Sequence, residues 1–138
     1  MQNYIHRMWD FSELFEKLDY KESKLGVPYT IMMFSITNKE KIIEFWEYLL
    51  KHLSKSDTIF LYSKSKIIVV LEETAIRWAV LIDEKLRKKI KKHWLKFKFY
   101  SSAIQWYSIE DIESLIKSLK KRLKKAKESG NFKLVHWL

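Results

Sequence analysis

The sequence predicts an α+β fold with a split βαβ, or ferredoxin-like, core (βαββαβ), preceded by one helix and followed by an extra helix and strand. Strand-length apolar runs, "YTIMMFSI", "TIFLY" and "KIIVVLEE", alternate with longer segments whose apolar residues recur at helical spacing. Two of these runs are separated only by the short stretch "SKS", the signature of a hairpin. Two glycines and one proline, without a repeat or a low-complexity tract, leave no linker, so residues 1–138 are expected to form one domain.

In "DFSELFEKLDY", Phe11, Leu14, Phe15 and Leu18 share a helical face, and Gly26 with Pro28 ends the segment. "YTIMMFSI" then reads as a buried strand. In "NKEKIIEFWEYLLKHL", Asn38 is placed to cap a helix of about four turns. Its stripe is Ile42, Trp46, Leu49, Leu50 and Leu53. The hairpin strands follow, the second rich in β-branched residues. A basic amphipathic helix is predicted from Ala75 to Lys92 with Ile76, Val80, Leu86 and Ile90 inward, and "KFKFYSSAIQWY" returns as a strand. Ser108 with Asp111 resembles a capping box opening a last helix whose Ile112, Leu115, Leu119 and Leu123 face the core. Gly130 is positioned to stop that helix, and "FKLVHW" supplies a short strand. The two helices of the βαββαβ middle are expected on one face of the sheet.

Hydrophobic residues make up 47% of the 138, enough for a single core. Cysteine is absent, which excludes disulfides and thiolate metal sites, and the four histidines lack ligand spacing. No apolar run approaches the ~20 residues that span a bilayer, and the N-terminus lacks a signal-peptide layout. A cytoplasmic protein without membrane insertion is the expectation. The net charge is +10, and residues 85–98 and 117–127 carry fifteen Lys or Arg without one acid. Such stretches are usually solvated helix faces, and they also suit an anionic partner. An RNA-recognition sheet would want aromatics in a glycine-containing pattern; Phe97, Phe99 and Tyr100 lack those glycines and read as packing residues.

The hairpin turn, Ser63-Lys64-Ser65-Lys66, lacks the Gly or Asn that tight turns favour. With Asp57, Leu61 and Tyr62 before it and Ile67 through Thr74 after it, this segment resembles the hairpin of the GGDEF domain of diguanylate cyclases. "GVPYTIMMFSIT" is similar to that family's first strand, "KIIEFWEYLLKHLSKSD" to the helix before its hairpin, and "SLIKSLKKRLKKAKESGNFKLV" to its last helix and strand. The resemblance runs over nearly the whole chain. It implies a nucleotide-cyclase palm and, in active members, GTP held with Mg²⁺ on carboxylates and joined into cyclic di-GMP between two facing subunits.

The resemblance also implies which positions would carry that chemistry. The family's metal aspartate at the end of the first strand aligns with Ser35, and the aspartate two residues on aligns with Thr37. The glycines, acidic pair and phenylalanine of the turn align with Ser63, Lys64, Ser65, Lys66 and Ile67. Mg²⁺ is a hard cation that wants carboxylates, and a fixed charge on Lys66 opposes it. Cyclase activity, metal and cofactor are therefore expected to be absent. The guanine-holding loop after the first strand is shortened to Thr37-Asn38. Of the family's inhibitory Arg-x-x-Asp, "SKSD" keeps Asp57, with Ser54 in place of the arginine.

Lys64, Lys66 and Lys127, the last where the family has a phosphate-contacting lysine, suit either a metal-free anion or plain solvation. Glu72, Glu73, Asp83 and Glu84 suit local pairing with Arg77, Arg87 or Lys88 better than acid–base work. Trp94, Trp106 and Trp137 fall near strand ends and are candidates for partner contact or for the core. Two functions fit: an inactive GGDEF-like module that binds a protein partner or itself, as a regulatory element, or a lysine-based binding module for cyclic di-GMP, another nucleotide or nucleic acid.

Overall fold

The computed structural model describes residues 8–53, 57–93, 98–106, 111–129 and 134–135. Helix α1 spans Met8–Leu25 and buries Phe15 and Leu18. Gly26 ends it at φ 67°, a left-handed conformation that costs a residue without Cβ nothing, and its N–H closes on the Glu22 carbonyl at 3.0 Å. Strand β1 (Tyr29–Ile36) leads into a 3-10 turn (Lys39–Lys41) and helix α2 (Ile42–Leu50).

Helix α2 is shorter than its sequence suggests, and Asn38 does not cap it with its side chain. The Asn38 backbone carbonyl instead accepts the Lys41 N–H at 2.9 Å, while its side-chain amide lies 3.2 Å from the Thr37 hydroxyl oxygen. A tight turn has absorbed what periodicity alone would read as the first helical turn. Strands β2 (Thr58–Ser63) and β3 (Lys66–Glu72) form the hairpin, followed by α3 (Ile76–His93), β4 (Phe99–Gln105), α4 (Ile112–Ser129) and β5 (Leu134–Val135). Asp111 itself caps α4, its carboxylate accepting the Ser114 N–H at 2.7 Å. Ser108 and Gly130 lie outside the described residues.

The strands lie in the order β2-β3-β1-β4-β5, with β1 antiparallel to both β3 and β4, β2 antiparallel to β3, and β5 parallel to β4. This is the predicted βαββαβ palm with its extra helix and strand. The two helices of that core, α2 and α3, share one face as expected, and the added helices α1 and α4 cover the other. Met32, Phe34, Ile67 and Val69 point toward α2 and α3, where Phe45, Leu49, Leu86 and Ile90 meet them. Ile31, Met33, Ile68 and Val70 point the other way, against Phe15 and Leu18 of α1 and Leu115, Leu119 and Leu123 of α4.

The physical reason is legible in "YTIMMFSI": a strand covered on one side alternates apolar and polar residues, whereas here Ile31 through Phe34 are apolar without a break because both sides are buried. Truncating Ile31 or Met32 to alanine would open a cavity in one layer or the other, each at a cost of about 2–5 kcal/mol.

Candidate functional site

The ladder around the end of β1 decides which residues meet there. Ser35 pairs with Lys66 of β3 on one side and with Tyr100 of β4 on the other. One residue on, the Ile36 N–H donates to the Ser65 carbonyl at 2.8 Å. Thr37 donates its N–H at 3.2 Å and its hydroxyl at 2.9 Å to the carbonyl of Lys98. Three segments distant in sequence therefore converge, and Ser35, Thr37 and the Ser63–Lys66 turn form one end of the sheet.

Among the described residues, Glu73 is the single non-glycine residue with positive φ, at 52°, so Lys64 and Ser65 turn the chain with ordinary backbone angles. The hairpin register shifts between Leu61 and Ser63, and this irregularity supplies the twist that a glycine turn would otherwise provide. Ser63 Oγ accepts the Ser65 N–H at 3.4 Å. Lys64 is exposed, Ser63, Ser65 and Lys66 are half-buried, and Ile67 is a core residue.

The strand pair β4 and β5 is parallel, so α4 must run back along the sheet to the end where β4 begins. That crossover carries the exposed Lys127, in the last turn of α4, to the same end as the hairpin turn. Among the described residues no carboxylate forms an ion pair with Lys64, Lys66 or Lys127. Nor does any group of three His, Cys, Asp or Glu there have metal-binding geometry. The chemistry of this end is cationic and hydroxylic.

Asp57 lies at the other end of β2, where its carboxylate accepts the Glu72 N–H at 3.3 Å and ties the start of β2 to the end of β3. Glu72 is paired with Lys21 of α1 at 3.5 Å, rather than with a basic residue of α3. Asp83 does pair within α3, but inside the protein. Arg87 Nε donates to its carboxylate at 2.7 Å, the Ser101 hydroxyl donates to it at 2.7 Å, and the guanidinium lies 4.1 Å from the Phe99 ring centre. Burial pushes the Asp83 carboxyl above its ordinary value, while Arg87 and Ser101 pull it back.

Of the tryptophans singled out by sequence, Trp94 and Trp137 lie outside the described residues. Trp106 is not an exposed contact: it is 1% accessible, packs edge-on against Phe15, and donates its Nε1–H to Asp19 at 2.9 Å. A large apolar ring with one satisfied polar atom belongs in a core. Among the described residues the exposed tryptophan is Trp78 on α3, which sequence reading passed over. Helical spacing was the available signal, because position 78 falls off the stripe made by Ala79, Leu86 and Ile90.

Neither a protein-family model nor a curated protein sequence matches the chain. Solved structures do match. The GGDEF domain of DgcB from Caulobacter crescentus, in complex with c-di-GMP, superposes with a TM-score of 0.80 at 10% identity, covering 96% of this chain and 91% of that one. The fold is that of a GGDEF domain. The active GGEEF domain of a diguanylate cyclase from Vibrio cholerae gives 0.80 at 16% identity, covering 97% of both chains. Diguanylate cyclase SiaD from Pseudomonas aeruginosa, in complex with its activator SiaC, gives 0.77 at 14% identity, with 95% of this chain covering 58% of that one. At these identities the GGDEF likeness is one of architecture. Among the described residues, no helix of this GGDEF fold is long and apolar enough to cross a membrane.

Proposed function

We propose that the protein is a catalytically inactive GGDEF-like module that acts by binding a protein partner or a second copy of itself. The observation that carries this reading is the strand-end cluster, where Ser35, Thr37, Ser63, Lys64, Ser65 and Lys66 gather without a carboxylate among them. Phosphoryl transfer between nucleotides rests on divalent metal to neutralise charge. Hydroxyls bind Mg²⁺ weakly by themselves, and two lysines at the site repel it.

A regulatory role suits a domain that keeps its scaffold after losing its chemistry, and SiaD shows a relative in fold engaging an activator protein. Exposed apolar side chains offer contact area, Tyr20 at 62% and Leu25 at 69% accessible on α1. The deciding experiment incubates the purified protein with GTP and Mg²⁺ and follows cyclic di-GMP by chromatography, alongside sedimentation and affinity capture. The expected result is no product, with a complex or homodimer that resists salt. Turnover of GTP to cyclic di-GMP would overturn the reading.

A second reading is favoured by the shared position of Lys64, Lys66 and Lys127: metal-independent binding of an anionic nucleotide at the same end of the sheet. Thermal unfolding with cyclic di-GMP or GTP, without metal, separates the two. A stabilisation that survives in chelator and vanishes in Lys64→Ala/Lys66→Ala assigns the lysines to a ligand; an unchanged midpoint removes this second reading.

A further inference from the structure

Helix α3 presents a solvent face of divided character. Near its N-terminus Trp78 is 52% and Leu81 44% accessible, the former with the Arg77 guanidinium 5.7 Å from its ring centre. Farther along, Lys85, Lys89 and Lys92 are exposed. The spacing from Trp78 through these lysines, seven, four and three residues, keeps them on one stripe about 21 Å long.

Helix α2 adds to this stripe from the side. Its C-terminal extension carries exposed Lys51 and half-buried His52, whose ring lies 5.4 Å from that of Tyr48. His52 is held below its ordinary value by burial and by the charges of Lys89, Lys51 and Lys85, so residues of both helices share one electrostatic neighbourhood. Residues 85–98 contain no acid, and among the described residues Glu47 of α2, one turn before Lys51, forms no ion pair with it. Glu84, the exposed acid of α3, is turned about 100° away from Lys85 on the helix.

We propose that this α2–α3 face docks single-stranded nucleic acid, with Trp78 as a stacking platform and Lys51, Lys85, Lys89 and Lys92 as phosphate contacts. The occupant follows from the combination. A row of unneutralised lysines attracts any polyanion, but an exposed indole at the end of that row is complementary to an unpaired base. A plain polyanion such as polyglutamate would use the charges but has no aromatic face to stack on the indole, which a base supplies. Helix α4 is as basic and provides the contrast, because the aromatic ring beside it, Tyr62 with the Lys120 ammonium at 4.8 Å, is half-buried where Trp78 is exposed. The surface is independent of the strand-end cluster, so it stands or falls separately from the reading of that site.

The test is fluorescence anisotropy of labelled oligo(dT) and oligo(U) with the full chain, titrated with salt. Four phosphate contacts give a log–log salt slope of about −3, so a fourfold rise in salt weakens binding about fiftyfold. Trp78→Ala, at an exposed position, is expected to weaken binding about tenfold. Lys85→Glu with Lys89→Glu is expected to abolish it, while Lys121→Glu with Lys125→Glu on α4 leaves it within about twofold. Three results would overturn the proposal: no binding at low salt, equal loss from the two lysine pairs, or an unaffected Trp78→Ala variant with polyglutamate competing as well as the oligonucleotide. Each would mean that the face is solvated or reads net charge alone.

Discussion

Lys66 stands directly across from Ser35 in the ladder between β3 and β1, so a lysine and a hydroxyl occupy the two sides of the strand-end site. A divalent cation between them would meet one hydroxyl and one fixed positive charge. Replacing Ser35→Asp, Ser65→Asp and Lys66→Glu together is expected to create divalent-cation affinity. In thermal unfolding with and without MgCl₂, the parent chain should be unmoved and the triple variant should rise. At 100 times its dissociation constant a ligand adds about 2.7 kcal/mol, a shift of several degrees. A flat response in the variant would show that these three positions do not govern cation binding.

The Asp83–Arg87 pair should behave as a buried ion pair. The side chains are 3% and 21% accessible, and Arg87 also donates to the Phe99 carbonyl at 3.2 Å and the Ser101 hydroxyl at 2.7 Å. Asp83→Ala strands a guanidinium in a poorly solvated place and is expected to cost about 3 kcal/mol. Asp83→Leu with Arg87→Met removes both charges and is expected to recover much of that loss. Urea unfolding of the two variants measures it, and equal destabilisation would refute the account.

His52 gives the domain an acid-sensitive element. Its folded value lies below the ordinary 6.5, so the unfolded chain takes up the proton first as pH falls. The contribution is therefore complete above pH 6.5 and declines as pH drops through that value toward the lower folded one. His52→Gln should flatten the decline in melting temperature across this window. Lys85→Glu should raise the His52 value, read by NMR titration of the imidazole; no movement would disprove the coupling of α2 to α3.

Trp106 tests the opposite layer. Trp106→Phe keeps most of the ring but loses the hydrogen bond to Asp19, at an expected cost of about 1–3 kcal/mol from the unpaired carboxylate and the reduced contact. Trp106→Ala should cost about 3–5 kcal/mol, because the cavity would lie between Phe15 and the stacked ring of Tyr29. Chemical denaturation orders the two variants, and indistinguishable midpoints would remove Trp106 from the core account.

Much of the architecture was readable from periodicity. The helix over Ile76–His93 and the strands flanking Ser63–Lys66 fall within a residue or two of where alternation and turn signals put them. What failed was whatever depends on a second element. That α1 and α4 cover the face opposite α2 and α3 was not readable, because apolar content reports burial without naming the partner. Asn38 and Asp111 are both good capping residues; a 3-10 turn and direct carboxylate capping decided between them. The convergence of Ser35 on Lys66 followed from the hairpin resemblance, but the Thr37 contact with Lys98 depends on the register of β1 against β4, which no local signal carries. Of the two readings offered for Trp106 the core one holds, and Trp78, which drew no reading, is exposed: burial of an aromatic is set by the neighbouring layer.

Strand β1 has neighbours on four sides, with β3 and β4 beside it and a helical layer above and below. An amide in such a position has no local route to water. Its proton exchanges only when the whole domain opens, whereas edge strand β2 can fray by itself. The amides of Ile31 through Phe34 are thus a built-in gauge of global unfolding. Any partner that engages the native state will slow their exchange by the factor it adds to the folding equilibrium, wherever on the surface it binds. The interior of the sheet can in this way register an interaction whose site has yet to be mapped.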